Sequence, residues 1–266
     1  MQDLRSNSGL VKLPLVTDTF VPFNPKAYLM EYYYHLGEEN KELLHFHDDV
    51  YSRIFNETKR ACILEFGGGP TIYQLISAAK YPVSIDFSDY LDVNLDELKV
   101  WLHDRPGNFP WNSFIQYVLE REGENSDLHS IERRAQLIRS KVKQLLHCDA
   151  RETDPLGPAY RSWYDIVSAN FVLESVAEEL DEWDRLLDHL LSLVKPPGYL
   201  VMSVVIGSER YRVGEHYYPV TPLTPEIVIT KLKEKNLSIV LTHSVDAEHR
   251  DEQGYEGIFM VLAKLR

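Results

Sequence analysis

The sequence predicts an α/β fold built on a mostly parallel, Rossmann-like sheet whose C-terminal strand runs antiparallel. Three observations carry this expectation. A short apolar run over 61–66 ends in Gly67-Gly68-Gly69 and leads into a helical stretch, giving the strand, glycine turn and helix of a ligand cradle. Short apolar runs then alternate with amphipathic stretches up to residue 206. The last two strand-like runs, 237–244 and 257–264, are joined by a loop over 245–256 with no helix between them, which requires an antiparallel pair.

Residues 1–58 precede the cradle. The first fifteen are polar and without a period, a flexible lead. Tyr28, Tyr32, Tyr33 and Tyr34 then fall within seven residues, and Asn24-Pro25 reads as an N-cap followed by a first-turn proline. On a helix Tyr28 and Tyr32 share a face with Tyr33 beside them. Such a stripe suits docking on the core or a lid over a bound molecule. A second helix is expected over 38–56, with Leu43, Leu44, Phe46, Val50, Tyr51 and Ile54 on its apolar side. His45 and His47, two residues apart, point to different faces and suit no shared metal, so they are expected as surface or capping side chains.

Pro70 is expected as the first helical residue, where its missing N–H costs nothing, with a crossover helix over 71–79. The second strand, 83–89, should end in an acid that binds ribose hydroxyls about 20 residues beyond the glycines. Asp89 stands 20 residues beyond Gly69 and Asp86 stands 17, so Asp89 is preferred. Tyr90 to Asn94 lead into a helix over 95–103. Residues 105–143 break the alternation with prolines and a polar tail, an insertion expected on one edge of the sheet, and a long charged helix is expected over 128–146. Strand three follows at 145–150. Its Asp149 shares the ridge of strand ends with the glycines and Asp89, although aspartate is also a common turn former. Strand four covers 163–171, and a helix from Val172 runs toward 194, where Lys195-Pro-Pro-Gly198 stops it. The strongest strand is 199–206, a hairpin is expected within 207–222, and a helix over 225–235.

A dinucleotide fingerprint needs a third glycine where this chain has Ile72. S-adenosylmethionine (SAM) carries no pyrophosphate and does not need that glycine. Glu65 at the strand end also fits a cationic methionine moiety better than a phosphate. The spacing Glu-x-Gly-x-Gly therefore favours SAM over NAD.

The whole chain narrows the classes further. At 266 residues and 44% hydrophobic content one large domain is expected. Lys and Arg number 28 against 41 Asp and Glu, a formal charge of −13, and no basic patch is evident, so a nucleic-acid partner is not expected. Cys62 and Cys148 each sit in an apolar run and read as reduced core thiols of a cytoplasmic protein. No apolar stretch approaches the ~20 residues that span a bilayer. A monomer that needs no metal is expected.

Taken together the motifs resemble the nicotinamide, phenylethanolamine and indolethylamine N-methyltransferase family, which includes a thioether S-methyltransferase and has the class I methyltransferase sheet. The resemblance covers about 20–264 and rests on Phe23-Asn-Pro-x-x-Tyr-Leu-x-x-Tyr-Tyr33, Gly67-x-Gly-Pro-Thr-Ile-Tyr-Gln74, Asp89-x-x-x-x-Asn94, Cys148-Asp149 with Pro155-Leu-Gly157, Lys195-Pro-x-Gly198 and Glu256-Gly-x-Phe259. It implies that residues 1–58 form lid helices and that 207–222 lies over the acceptor site. It implies SAM contacts from Tyr28 and Tyr33 (lid), Gly67, Gly68, Thr71 and Tyr73 (methionine portion), Asp89, Tyr90 and Asn94 (ribose side), Asp149 and Ala150 (adenine), and Asn170.

For the acceptor the resemblance implies Phe171, Glu174, Ser208, Glu209 and Tyr211. The strand-five acid of the nicotinamide enzyme corresponds to Val204, and the hairpin acid of the phenylethanolamine enzyme to Ser208, with Glu209 one place late. The expected reaction is N-methylation of a small amine, with Glu174 orienting the acceptor or taking its proton and Glu209 second. As a helix-start acid Glu174 could equally serve the helix dipole. S-methylation, pyridine N-methylation and a SAM-binding sensor without catalysis are the alternatives.

Overall fold

The computed structural model describes residues 23–208, 210–248, 250 and 254–266; the polar N-terminal lead and Glu209 lie outside the described residues. The strands are β1 (Ala61–Phe66), β2 (Val83–Asp89), β3 (Val142–His147), β4 (Tyr164–Asn170), β5 (Val194–Ile206), β6 (Arg210–Val213), β7 (His216–Pro219), β8 (Leu237–Asp246) and β9 (Gly257–Leu265). Seven of them form one sheet in the order β3-β2-β1-β4-β5-β9-β8, while β6 and β7 make a separate hairpin. The first five sheet strands are mutually parallel. β9 is antiparallel to both neighbours, β5 and β8, so the final strand fills an interior slot and β8 forms the edge.

Burial on both faces explains why β1 and β4 read as nearly continuous apolar runs. Along the sheet Ile63, Ile85, Phe87, Ile166 and Val201 face one core layer, and Leu64, Phe66, Val167, Ala169, Leu200 and Met202 face the other. The first layer is closed by α1 (Pro25–Tyr32), α2 (Glu38–Glu57), α3 (Tyr73–Ile76), α4 (Asp92–Leu102), α5 (Asn112–Arg121) and α6 (Leu128–Lys141). The second is closed by α7 (Leu173–Val176), α8 (Leu180–Leu191) and α9 (Pro225–Glu234). The N-cap of α1 is as expected, the Asn24 side chain accepting from the Lys26 and Ala27 amides at 3.1 Å.

Several boundaries differ from the sequence reading for local reasons. Pro70 does not open a helix. The Thr71 hydroxyl and the Gln74 amide both donate to the Gly68 carbonyl, at 2.8 and 3.3 Å, holding the chain in a loop until α3 begins at Tyr73. α3 is a single turn, continued by a 3-10 turn over Ala78–Lys80. α4 starts at Asp92, three residues earlier than expected. α6 stops at Lys141 because Val142 pairs with Ile85 of β2, and this pairing overrides the helical pattern of 143–146. α5 packs against α2 and α3, and α6 against α3 and the strands β2 and β3, the latter at the sheet edge. The helix expected from Val172 to 194 is split. Thr221 donates its N–H to the Glu174 carbonyl at 2.9 Å and its hydroxyl to the Ala177 carbonyl at 2.8 Å, taking acceptors that a continuous helix would use.

His47 is the clearest departure. It is fully buried, stacked on Tyr51 and edge-on to Tyr73, and neither ring nitrogen has a hydrogen-bond partner among the described residues. His45 bonds the Tyr117 hydroxyl at 2.7 Å instead of capping a helix.

Candidate active site

Phe66, Asp89, His147 and Asn170 end the parallel strands along one side of the sheet, and the strand order reverses between β1 and β4. Open α/β sheets bind ligands at such a switch point. A cavity of about 420 Å³ lies there.

Its floor is the glycine turn. Gly67 and Gly69 adopt φ of 64° and 62°, a region that favours glycine, while a Cβ on Gly68 would stand 2.3 Å from the Phe87 ring. The Gly69 amide donates to Asp89 Oδ2 at 2.8 Å, and Asp89 Oδ1 accepts from the Leu91 amide at 2.8 Å and from Asn94 Nδ2 at 3.0 Å. Burial pushes the Asp89 carboxyl up against the opposing pull of these donors. Asn94 Oδ1 remains a buried acceptor without a partner among the described residues. Asp86, the competing aspartate, faces elsewhere and accepts from the Tyr164 hydroxyl at 3.0 Å and Gln144 Nε2 at 3.2 Å.

Tyr90, Asp149 and Ala150 line one end of the cavity. Arg151 grips both oxygens of Asp149, at 2.9 and 2.7 Å, which holds that carboxyl below its usual range, and the guanidinium lies 4.9 Å over the Tyr90 ring. Ala150 contributes a carbonyl bonded to His189 Nδ1 at 2.9 Å. Tyr28, Tyr33, Thr71 and Tyr73 also line the cavity. Asn170 lines it too, yet its side chain is tied to Glu65, Ser168 and Ser203. Glu65 does not face the cavity as its position had suggested. It lies wholly buried beneath the turn, and burial pushes its carboxyl up to about 8.

On the acceptor side Phe171 and Tyr211 line the cavity. Phe171 holds φ of 60°, an outlier for a bulky residue and a strain of the kind stored at functional sites. Glu174 is fully buried behind the wall formed by Ser175, Val176 and Val205. Its Oε1 accepts from the Val205 amide at 3.1 Å, its Oε2 has no partner among the described residues, and burial pushes it up to about 8. Ser208 lies outside the cavity lining and its hydroxyl donates to the Arg210 or Gly254 carbonyl, tying the hairpin to the chain before β9. Glu209 lies outside the described residues. Val204 packs in the opposite core layer while Val205 lines the cavity, so neither position of β5 supplies an acid.

A model of the NNMT/PNMT/TEMT family matches residues 13–266. The chain belongs to this family. It is a methyltransferase with SAM as its cofactor. Human nicotinamide N-methyltransferase is 33% identical over 255 residues, 93% of this chain and 95% of the relative. Mouse indolethylamine N-methyltransferase is 31% identical over 247 residues, 91% and 92% of the two chains. Macaque phenylethanolamine N-methyltransferase is 35% identical over 175 residues, 65% and 61% of the two chains. Among solved structures, a SAM-dependent methyltransferase from Methanosarcina mazei superposes with TM-score 0.53 at 16% identity, over 80% and 96% of the two chains. Magnesium protoporphyrin IX methyltransferase from Synechocystis, with bound SAH, gives 0.54 at 13% identity, over 91% and 94%. These structures are alike in fold.

The residues of this family member fit SAM. Asn94 Oδ1, a buried acceptor without a partner among the described residues, stands beside Asp89, ready for a hydroxyl donor. The single-turn α3 offers little helix dipole to a phosphate. Among the described residues the cavity lining holds the acids Glu31, Glu39, Asp89, Asp149 and Glu248 and no Lys or Arg, which suits a sulfonium cation. Sequence reasoning missed Glu31, Glu39, Tyr255, Val205 and Ser175. They come from separate elements with no local motif, and only Tyr32, sharing a face with Tyr28, could have been read from spacing.

Proposed function

We propose that the protein methylates the nitrogen of a small amine. The observation that carries this reading is the cavity lining, with aromatic walls, five carboxylate residues, of which Glu31 and Asp149 are paired with Arg212 and Arg151, and no Lys or Arg among the described lining residues. Such a lining favours a cation and repels an anionic acceptor. The curated relatives named above, all N-methyltransferases, support it further.

SAM, when bound, supplies an electrophilic methyl group that needs no covalent enzyme intermediate. Asp89, Asn94 and the glycine turn would hold it at the strand ends, with Asp149, Ala150 and Tyr90 at the far side. Tyr28 and Tyr33 would cover it and exclude water, and Phe171 with Tyr211 would pin the acceptor for in-line approach. An amine must lose a proton to become nucleophilic. Glu174, with its carboxyl raised to about 8, is the proton acceptor of this reading, reached through Ser175 or a water across the Val205 wall.

The deciding experiment is a panel of aliphatic and aromatic amines, nicotinamide-type pyridines and thioethers assayed with methyl-labelled SAM. Label transfer to amines above all other classes is expected. Faster transfer to a thioether or pyridine would replace this reading, and transfer to none of them with SAM bound would favour a non-catalytic SAM-binding protein.

A further inference from the structure

Beyond the tyrosines of α1 the cavity reaches a wall built from elements to which no SAM contact has been assigned: the first turns of α2 and the chain entering β9. Glu39 is its central acid. Glu39 is only 8% exposed, its Oε1 accepts from the Glu248 amide at 2.7 Å and its Oε2 from the Tyr255 hydroxyl at 2.6 Å. Both partners are neutral. The neighbouring acids of α2 find cations or imidazoles, Glu38 with Lys41 and Glu42 with His45 and His243, whereas Glu39 makes no ion pair among the described residues. A second carboxylate reinforces the wall: the Glu248 side chain lies across Gly37, where a Cβ would come within 2.2 Å of its Oε2. Gly37 has an ordinary φ of −78°, so the space it leaves, not its backbone freedom, is what the position uses.

A carboxylate offers about four acceptor positions, and the two fixed donors occupy half of them. When a bound acceptor expels water, the remaining positions need a cation or donor or they become costly. We propose that Glu39 is the specificity-determining residue of the acceptor pocket, receiving a second ammonium group at the end remote from the methylated nitrogen, so that small diamines are preferred over monoamines. This rests on the N-methylation reading and names its substrate class.

The test pairs alkyl monoamines with α,ω-diamines of equal chain length. The wild-type enzyme should favour the diamine in kcat/KM by about tenfold or more, through KM, the scale of one charge-assisted hydrogen bond. Glu39→Gln should erase that preference by raising KM for the diamine about tenfold more than KM for the monoamine. Glu39→Asp, which keeps the charge and guards against a folding defect in the first variant, should shift the optimum to a diamine one carbon longer. Equal use of both amines by the wild type, or equal losses for both in Glu39→Gln, would overturn the proposal. If no amine is methylated, the N-methylation reading fails, and titration of the diamine into protein loaded with the demethylated cofactor still decides the role of Glu39. Binding that is lost in Glu39→Gln supports it, and no binding to the wild type refutes it.

Discussion

Tyr33, the C-cap of α1, lies stacked on Tyr73, the first residue of α3, with ring centroids 5.3 Å apart and planes 19° from parallel. The same ring leans on Trp111 and Phe114, at 5.5 and 6.1 Å, and is 4% exposed. The lid tyrosine is thus also a core residue, while Tyr28 covers it with hydroxyls 3.4 Å apart. Tyr33→Ala should destabilise the protein by about 3 kcal/mol or more, the range for losing a buried aromatic, whereas Tyr33→Phe should cost less than about 1 kcal/mol. Chemical denaturation of the two variants checks this, and an unchanged midpoint for Tyr33→Ala would mean that α1 swings free of the core.

The two aspartates of β2 separate binding from folding. Asp89 faces the cavity, so Asp89→Ala should weaken SAM by about 1.5–3 kcal/mol, the scale of charge-assisted hydrogen bonds. Asp86 holds Tyr164 and Gln144, so Asp86→Ala should lower the melting temperature and leave SAM affinity nearly unchanged. Calorimetric titration and thermal melts of both variants read the two effects separately.

Glu174 links pH to activity and to stability. Its carboxyl is raised to about 8, chiefly by burial, so the folded state keeps a proton that the unfolded chain loses above its ordinary value of 4.5. Its contribution to stability is full below about 4.5 and is lost as pH rises toward 8, where its destabilisation is on the order of a few kcal/mol. Glu174→Gln should therefore melt higher than wild type at pH 8 and alike at pH 4. As a proton acceptor Glu174 is active when ionised, so kcat should rise with pH through about 8, and Glu174→Gln should lose that limb and much of its turnover while binding SAM normally. A pH–rate profile unaltered by the substitution would leave Glu174 without a catalytic role.

His47 acts in the opposite direction at lower pH. Burial without a partner lowers it to about 3, so the folded state stays neutral while the unfolded chain gains a proton below about 6.5. Stability from this group is present above 6.5 and is lost as pH falls toward 3. His47→Leu gives up no hydrogen bond among the described residues and should raise the melting temperature at pH 5 relative to wild type more than at pH 7.5. Melting curves at the two values provide the comparison.

The sequence alone determined what depends on local pattern. The parallel sheet, the glycine turn, Asp89 as the cavity-facing aspartate and SAM over NAD all follow from apolar periodicity and fixed spacing along neighbouring residues. Only the tertiary structure decided which acids face the cavity. Glu65, beside the glycines in sequence, turns beneath them because β1 is buried on both faces, and Glu174 lies behind Val205, whose amide donates to its carboxylate from a strand 31 residues further along the chain. His47 read as polar surface and became core, since α2 packs toward Tyr51 and Tyr73 on the side that carries it. Glu39 and Tyr255 meet across 216 residues of chain, and no spacing rule reaches that far, because their contact is set by the docking of α2 against the strand that closes the sheet.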